Sequence, residues 1–298
     1  MLRNEITAYV LPEYAKIFSN SVNNVGLIEK AFVSFVSGHY KYLTTVALEA
    51  TVRFSHDIPV LLYVTPDIDD AAIMWPVNKF PNLIVFQMPS SILSVYFNKI
   101  RAALLSPVLS GFIIESDTLI TPHITRVFSL LSDHSNPLPI LVDHPDVRLP
   151  DCSQYNGPKS CINSFSYPAN LRSVEYMHAH MGWNFNAKYF FSSLIINCLN
   201  GGDYCDNDEH ALNERLWNVS AKNVFCILDP HYSFVNDWKN QTKNLNGLHM
   251  VSFMIVHGCK DPEKAKELLN DIESMKKNHG YGIIMNGEIH QIIYQSMN

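Results

Sequence analysis

The chain has 298 residues, 47% hydrophobic and only 17% charged, against roughly 25% charged in ordinary soluble proteins. That is enough apolar material for a core of normal size, and it excludes a disordered chain. A net charge of −6 gives no basic excess and argues against a nucleic-acid binder, while an anionic small ligand needs only a few well-placed cations.

Met1 to Lys30 contains no apolar stretch long enough for a signal sequence or a bilayer span. The expectation is therefore a cytoplasmic protein without a transmembrane segment, with a secretory lumen open if an anchor has been removed. Ala31 to Val36 is a short run rich in Val and Phe, and Val60 to Val64 is a second. Between them Leu43, Val46, Ala47 and Ala50 recur at helical spacing, so the unit reads strand, helix, strand. Leu83 to Gln87 predicts a third strand. Ser91 to Leu105 predicts a helix with Ile92, Val95, Tyr96, Ile100 and Leu104 on one side, and Gly111 to Glu115 a fourth strand. Strands that are apolar on both faces and alternate with helices imply a mostly parallel sheet covered on both sides.

Six prolines between Asn136 and Pro168 forbid long regular elements and predict a loop or a few irregular strands. An apolar segment, helix or strand, returns at Phe185 to Cys198, and Gly201-Gly202 marks a turn. Glu209 to Asn218 reads as a short helix, Val224 to Leu228 and Val251 to Val256 as strands, and Pro262 to Asn278 as a helix. No linker divides the chain. The expectation is a single α/β domain of Rossmann-like type, with 27–122 as its nucleotide-binding half, 123–261 as its acceptor half and 262–298 as a C-terminal helix and tail.

None of the six cysteines forms a Cys-x-x-Cys pair, so a structural zinc site is not expected and reduced core thiols are. A Cys152–Cys161 bridge is left open. Asn218-Val219-Ser220 and Asn240-Gln241-Thr242 fit the glycosylation sequon, a pattern that also arises by chance in an Asn-rich chain.

Three segments carry chemistry. In the first, the apolar run Gly111-Phe112-Ile113-Ile114 ends in Glu115-Ser116-Asp117. Ligands of open α/β sheets bind beyond the carboxyl ends of the strands, and paired carboxylates there can hold a divalent cation on a diphosphate. They can equally begin a loop and cap the next helix. In the second, Asp206-Asn207-Asp208-Glu209 leads into the helix containing Asn213. These acids would either cap that helix or face a donor sugar or acceptor hydroxyl as hydrogen-bond acceptor or general base. In the third, His257-Gly258-Cys259-Lys260 follows a buried strand. The glycine permits close approach of a ligand, and Lys260 can hold a phosphate, although a core histidine followed by a surface lysine has the same pattern. Lys99 and Arg101 either touch phosphates or lie on a solvated helix face. His178 and His180 fit an acceptor-side role better than a metal site. Trp75, Trp183, Trp217 and Trp238 can stack on sugars or simply lie buried.

Together these segments resemble the GT-A superfamily of glycosyltransferases, nearest in pattern to its glycogenin-like members. The family's basic helix followed by a strand into Asp-x-Asp is similar to Lys99-Ile100-Arg101 leading to Glu115-Ser116-Asp117. Its Asp-Gln-x-x-Leu-Asn segment resembles Asp208-Glu209-His210-Ala211-Leu212-Asn213. Its His-x-x-Gly-x-x-Lys segment resembles His257-Gly258-Cys259-Lys260 in residue types and order, at tighter spacing. Glu115 replaces the family's first Asp, and its arm is one methylene longer.

The resemblance implies a metal-dependent glycosyltransferase moving a sugar from a nucleotide diphosphate sugar to a glycan or glycoprotein acceptor. Mn²⁺ or Mg²⁺ would lie on Asp117 and His257, with Glu115 near the metal or the ribose. Val33 and Phe35 fall where the family begins binding the base, with Ser116, Gly258 and Lys260 contacting the rest of the nucleotide. Asp208 is the first choice for the carboxylate beside the reacting carbon, with Asp206 and Glu209 behind it. A glycogenin-like pattern leans towards retention, whereas a base at Asp208 would serve inversion. A nucleotidyltransferase and a non-catalytic carbohydrate binder on the same sheet are the alternatives.

Overall fold

A computed structural model describes residues 12–38, 47–51, 57–68, 82–116, 118–120, 140–142, 180–218, 226–227, 233–235, 255–257, 282–285 and 288–291, with a few single positions between them. Helix α1 (Pro12–Val25) opens the described chain, with Pro12 at its first position, where a missing N–H costs nothing. It buries Tyr14, Ala15 and Phe18. This helix escaped the sequence reading, which tested Met1 to Lys30 only for apolar length.

Strands β1 (Ile28–Val36), β2 (Val60–Val64) and β3 (Leu83–Gln87) pair in parallel, as do β1 and β4 (Val108–Ile114). Residues 47–51 are helical, within the expected crossover between β1 and β2. Helix α2 (Asn98–Leu105) links β3 to β4 and is buried along its whole length. It is shorter than the expected helix from Ser91. There Ser91 Oγ accepts from Leu93 N at 3.1 Å and Ser94 Oγ from Tyr96 N at 3.4 Å, local bonds that compete with the helical ladder. Ile92, Val95 and Tyr96 consequently stand exposed, Ile92 at 87%, instead of lining a helix face.

Beyond β4 the sheet continues with β7 (His180–Asn184), β6 (Ile140–Val142) and β8 (Cys226–Ile227), in the order β3-β2-β1-β4-β7-β6-β8. Only β7 runs antiparallel to its neighbours. At the β4–β7 seam Gly111 faces Trp183, and a β-carbon on Gly111 would come within 2.2 Å of the indole. Trp183 is fully buried and meets Phe191 edge-on at 6.0 Å.

Helix α3 (Lys188–Leu199) packs with α1 and α2 on one face of the sheet, where Phe18, Val33, Leu61, Ile100, Ile113, Trp183 and Phe191 share a core. Phe32 meets Phe128 on the opposite face. Lys188 is buried, and its Nζ donates to the carbonyls of Ala103, Leu104 and Ser106 at 2.7, 2.9 and 2.7 Å. It thereby satisfies the last carbonyls of α2, which have no partner within that helix, and it sits 5.1 Å from the centre of the Phe18 ring. Helix α4 (Asp208–Trp217) follows a tight turn.

The expectation of reduced thiols is corrected in that turn, where Cys198 at the end of α3 is disulfide-bonded to Cys205. Gly201 and Tyr204 adopt positive φ of 76° and 62° there, so the reversal of the chain brings together two cysteines that sequence spacing alone did not pair. Cys152 and Cys161 lie outside the described residues.

A second, three-stranded sheet joins β5 (Leu119–Ile120), β10 (Ile255–His257) and β9 (Ser233–Val235) in the order β5-β10-β9. In the C-terminal region positions 263, 266 and 270 are helical, and β11 (Gly282–Met285) and β12 (Glu288–Gln291) form an antiparallel hairpin within the expected tail. Among the described residues no helix is long and apolar enough to cross a membrane.

Candidate active site

Because β1 to β4 are parallel, their carboxyl ends Val36, Val64, Gln87 and Ile114 share one edge of the sheet. Helix α2 runs back from that edge, so Lys99 in its first turn lies beside Glu115, the residue after β4. Lys99 Nζ donates to Glu115 Oε1 at 2.9 Å and forms a 2.7 Å ion pair with Asp208 Oδ2. One ammonium therefore ties the tip of a central strand to the start of α4, across 109 positions of sequence between Lys99 and Asp208. A cation in the first turn of a helix opposes the macrodipole, and the two carboxylates offset that cost.

All three groups lie largely out of solvent, with side-chain exposures of 7% for Lys99, 4% for Asp208 and 18% for Glu115. Burial alone would lower the Lys99 pKa, but the charges of Asp208, Glu115 and Glu209 outweigh it and hold the ammonium well above its ordinary value. Burial pushes Asp208 up to about 6 against the pull of Lys99, with Glu209 adding to the rise. The two shifts differ because the ammonium gains several opposite charges, whereas the carboxylate gains one cation and has acidic neighbours. With both acids ionised the cluster holds one negative charge in excess.

Asp208 was read as either a helix cap or a site carboxylate. Capping falls to Asn207, whose Oδ1 accepts from Glu209 N at 2.8 Å and whose carbonyl accepts the first helical bond from Ala211 N. Asp208 is thus released from the backbone and turned towards Lys99. Asp206 is largely exposed and bonds His210 Nδ1 at 3.2 Å, away from the cluster. Glu209 is half-buried and close enough to raise the Lys99 pKa. Asn213 is buried and donates to Glu209 O at 2.8 Å, within its own helix.

Arg101 is turned inward. It donates to Tyr14 Oη at 2.9 Å, to Asn98 Oδ1 at 2.7 Å and to the carbonyls of Pro89 and Ser90, binding α1 and the segment after β3 to α2. Val33 belongs to the core and Phe35 packs against it. Ser34 Oγ donates to Ile114 O at 2.9 Å, stitching β1 to β4 just before the carboxylate tip. Ser116 is buried at that tip. Of the four tryptophans only the Trp183 side chain is described, and it is core. Asp117, His178, Trp75, Trp238, Gly258 and Lys260 lie outside the described residues.

The backbone nevertheless constrains the expected metal pair. β5 and β10 pair antiparallel with Val256 opposite Leu119 and Ile255 opposite Ile120. His257 is one residue beyond Val256, and Asp117 is two residues before Leu119. The second sheet thus brings the end of β10 alongside the strand that follows Glu115-Ser116-Asp117.

Lys188, the Asn207 cap and the Cys198–Cys205 pair were missed in the sequence. A lone lysine in the apolar run Lys188-Tyr189-Phe190-Phe191 was the available signal for the first.

No protein-family model and no curated protein matches the chain. Solved structures do. A galactosyltransferase, LgtC, in complex with donor and acceptor sugar analogs aligns with TM-score 0.54 at 10% identity, covering 80% of this chain and 95% of that one. An active-site mutant of LgtC aligns with TM-score 0.53 at 12% identity, again over 80% and 95%. The glycosyltransferase GlyE of Streptococcus pneumoniae TIGR4 aligns with TM-score 0.50 at 11% identity, over 88% of this chain and 66% of its own. These likenesses, with the parallel sheet and its carboxylate-bearing edge, show that the chain has the GT-A glycosyltransferase fold.

Proposed function

We propose that the protein is a glycosyltransferase that moves a sugar from a nucleotide diphosphate sugar to a glycan or glycoprotein acceptor, with the help of Mn²⁺ or Mg²⁺. The observation that carries this reading is the buried Glu115–Lys99–Asp208 cluster at the carboxyl edge of a GT-A sheet. Residues 27–122 form the nucleotide-binding half and 123–261 the acceptor half.

Lys99 fixes the Asp208 carboxylate beside the strand tip without exposing it to bulk water. With a pKa near 6, Asp208 is mostly ionised at neutral pH yet remains basic enough to accept a proton, the property wanted in a base or a hydroxyl acceptor at a reacting sugar. Glu115 holds the other side of the ammonium, which assigns it to orienting Lys99 and leaves metal binding to Asp117 and His257. A carboxylate and an imidazole suit either cation, and the β5–β10 register fits their approach. When bound, the cation neutralises the diphosphate and assists its departure. Glu209 lies near enough to Asp208 to raise its pKa, whereas Asp206 is anchored on His210.

A panel of nucleotide sugars incubated with Mn²⁺ and read as released nucleoside diphosphate tests the proposal. Turnover that disappears in Asp117→Ala, with the circular dichroism spectrum retained, supports it. Oligosaccharide binding without turnover identifies a binding protein instead, and release of pyrophosphate a nucleotidyltransferase.

A further inference from the structure

We infer that this chain matures in an oxidising, glycosylating compartment and that Asn218 is a carbohydrate attachment site. Two independent observations meet here. The first is the Cys198–Cys205 disulfide, a bond that forms and persists where the thiol poise is oxidising and is rare in reducing cytoplasm. The second is the Asn218-Val219-Ser220 sequon, whose asparagine is exposed in the turn that ends α4.

The local geometry admits a glycan. Asn218 N donates to Glu214 O at 3.1 Å, closing the last helical turn, and Asn218 Nδ2 donates to Glu214 Oε1. An N-linked sugar leaves one hydrogen on Nδ2, so this bond survives the modification. Asn218 also lies ten residues beyond Asp208 along α4, roughly 15 Å at 1.5 Å per residue, so an attached oligosaccharide stands clear of the candidate active site. The disulfide and the sequon bracket the same structural unit, the α3–α4 turn and α4.

The chemistry balances with reagents of such a compartment. Nδ2 of Asn218 bonds to the anomeric carbon of a lipid-linked oligosaccharide as the bond from that carbon to the lipid diphosphate breaks, and one amide proton leaves with the diphosphate oxygen. The two cysteine thiols give up two electrons and two protons to a protein disulfide oxidant, which is reduced to a dithiol.

The test is to express the full chain behind a cleavable secretory leader in eukaryotic cells and, in parallel, in a reducing bacterial cytoplasm. Amidase removal of N-glycans, which converts a glycosylated asparagine to aspartate, is followed by peptide mass mapping. Alkylation before and after reduction reports the thiols. The expected result is a glycan on Asn218 lost in Asn218→Gln, Cys198 and Cys205 alkylated only after reduction, and a Tm several degrees lower for the cytoplasmic product. Should Asn218→Gln fail to fold, Ser220→Ala removes the same sequon while keeping the Asn218–Glu214 contact. An unmodified Asn218 in the secreted chain overturns the inference. So do thiols at Cys198 and Cys205 that alkylate without reduction, or equal stability of the two products.

Discussion

Asp208 and Lys99 are each unusual alone and ordinary as a pair. Ionising a carboxylate in a dry site is costly, and a buried lysine in the first turn of a helix is doubly so. Replacing Lys99 by Met removes the buried ammonium from between Glu115 and Asp208, and a loss of about 3–5 kcal/mol of stability is expected in urea unfolding; an unchanged midpoint would show that the pair is energetically idle. The pH dependence follows from the sign of the Asp208 shift. Its folded pKa, about 6, lies above the unfolded value, so the folded state binds the proton more tightly. That contribution to stability is fully present below the unfolded carboxylate pKa and is lost as pH rises through about 6. The proposed sugar transfer would need the ionised form and therefore runs the other way. We expect kcat/KM to climb through pH 6, and Asp208→Asn to lower kcat by roughly 10²-fold or more and remove the climb. A pH–rate profile with the same limb in both proteins would dismiss Asp208 from the chemistry.

At the scale of elements, the turn between α3 and α4 decides where Asp208 lies, and it is held by covalent, conformational and capping devices together: the Cys198–Cys205 bond, the positive φ at Gly201 and Tyr204, and the Asn207 cap. Closing a loop this short is worth about 2.5 kcal/mol by the chain-entropy relation, so Cys198→Ser with Cys205→Ser should lower unfolding free energy by about that amount. On the proposed assignment of 27–122 to the nucleotide, it should also weaken transfer more than nucleotide binding; equal losses in both would mean a merely global effect. Lys188 does for α2 what Asn207 does for α4. Burial pulls its pKa well down, while three carbonyls at a helix C-terminus match the three N–H groups of an ammonium and favour the charge. Lys188→Met strands those carbonyls, and a destabilisation of about 3 kcal/mol or more is expected in the same urea assay. Both elements were visible in the sequence as elements: α4 was expected within one residue of each end, and the return of apolar residues at Phe185 marked a segment, helix or strand, that is helix α3. Their fastenings were not visible, because a cap or a crosslink depends on how the chain turns and not on periodicity.

For the whole molecule, the GT-A assignment makes a thermal prediction. Nucleoside diphosphate with Mn²⁺ should raise Tm, and chelation should abolish the rise, because a ligand stabilises only the state that binds it; a rise that persists in chelator would remove the metal from the proposal. The central strands were legible because residues buried on both faces leave runs such as Val60–Val64 with no polar break, and Glu115 stood out because a charge ends such a run. The order of the strands, the antiparallel insertion of β7 between β4 and β6, and the pairing of β5 with β10 were not legible, since they join residues far apart in the chain. The sequence by itself determined the alternation of strand and helix, the carboxylate at the strand tip and the acids before α4, because burial and local propensity act over a few neighbours. Only the tertiary structure decided that Lys99 serves both carboxylates, that Asn207 and not Asp208 caps α4, and that Cys198 meets Cys205. Electrostatic partners and crosslinks are set by distance in space, which a folded sheet fixes and a linear pattern does not.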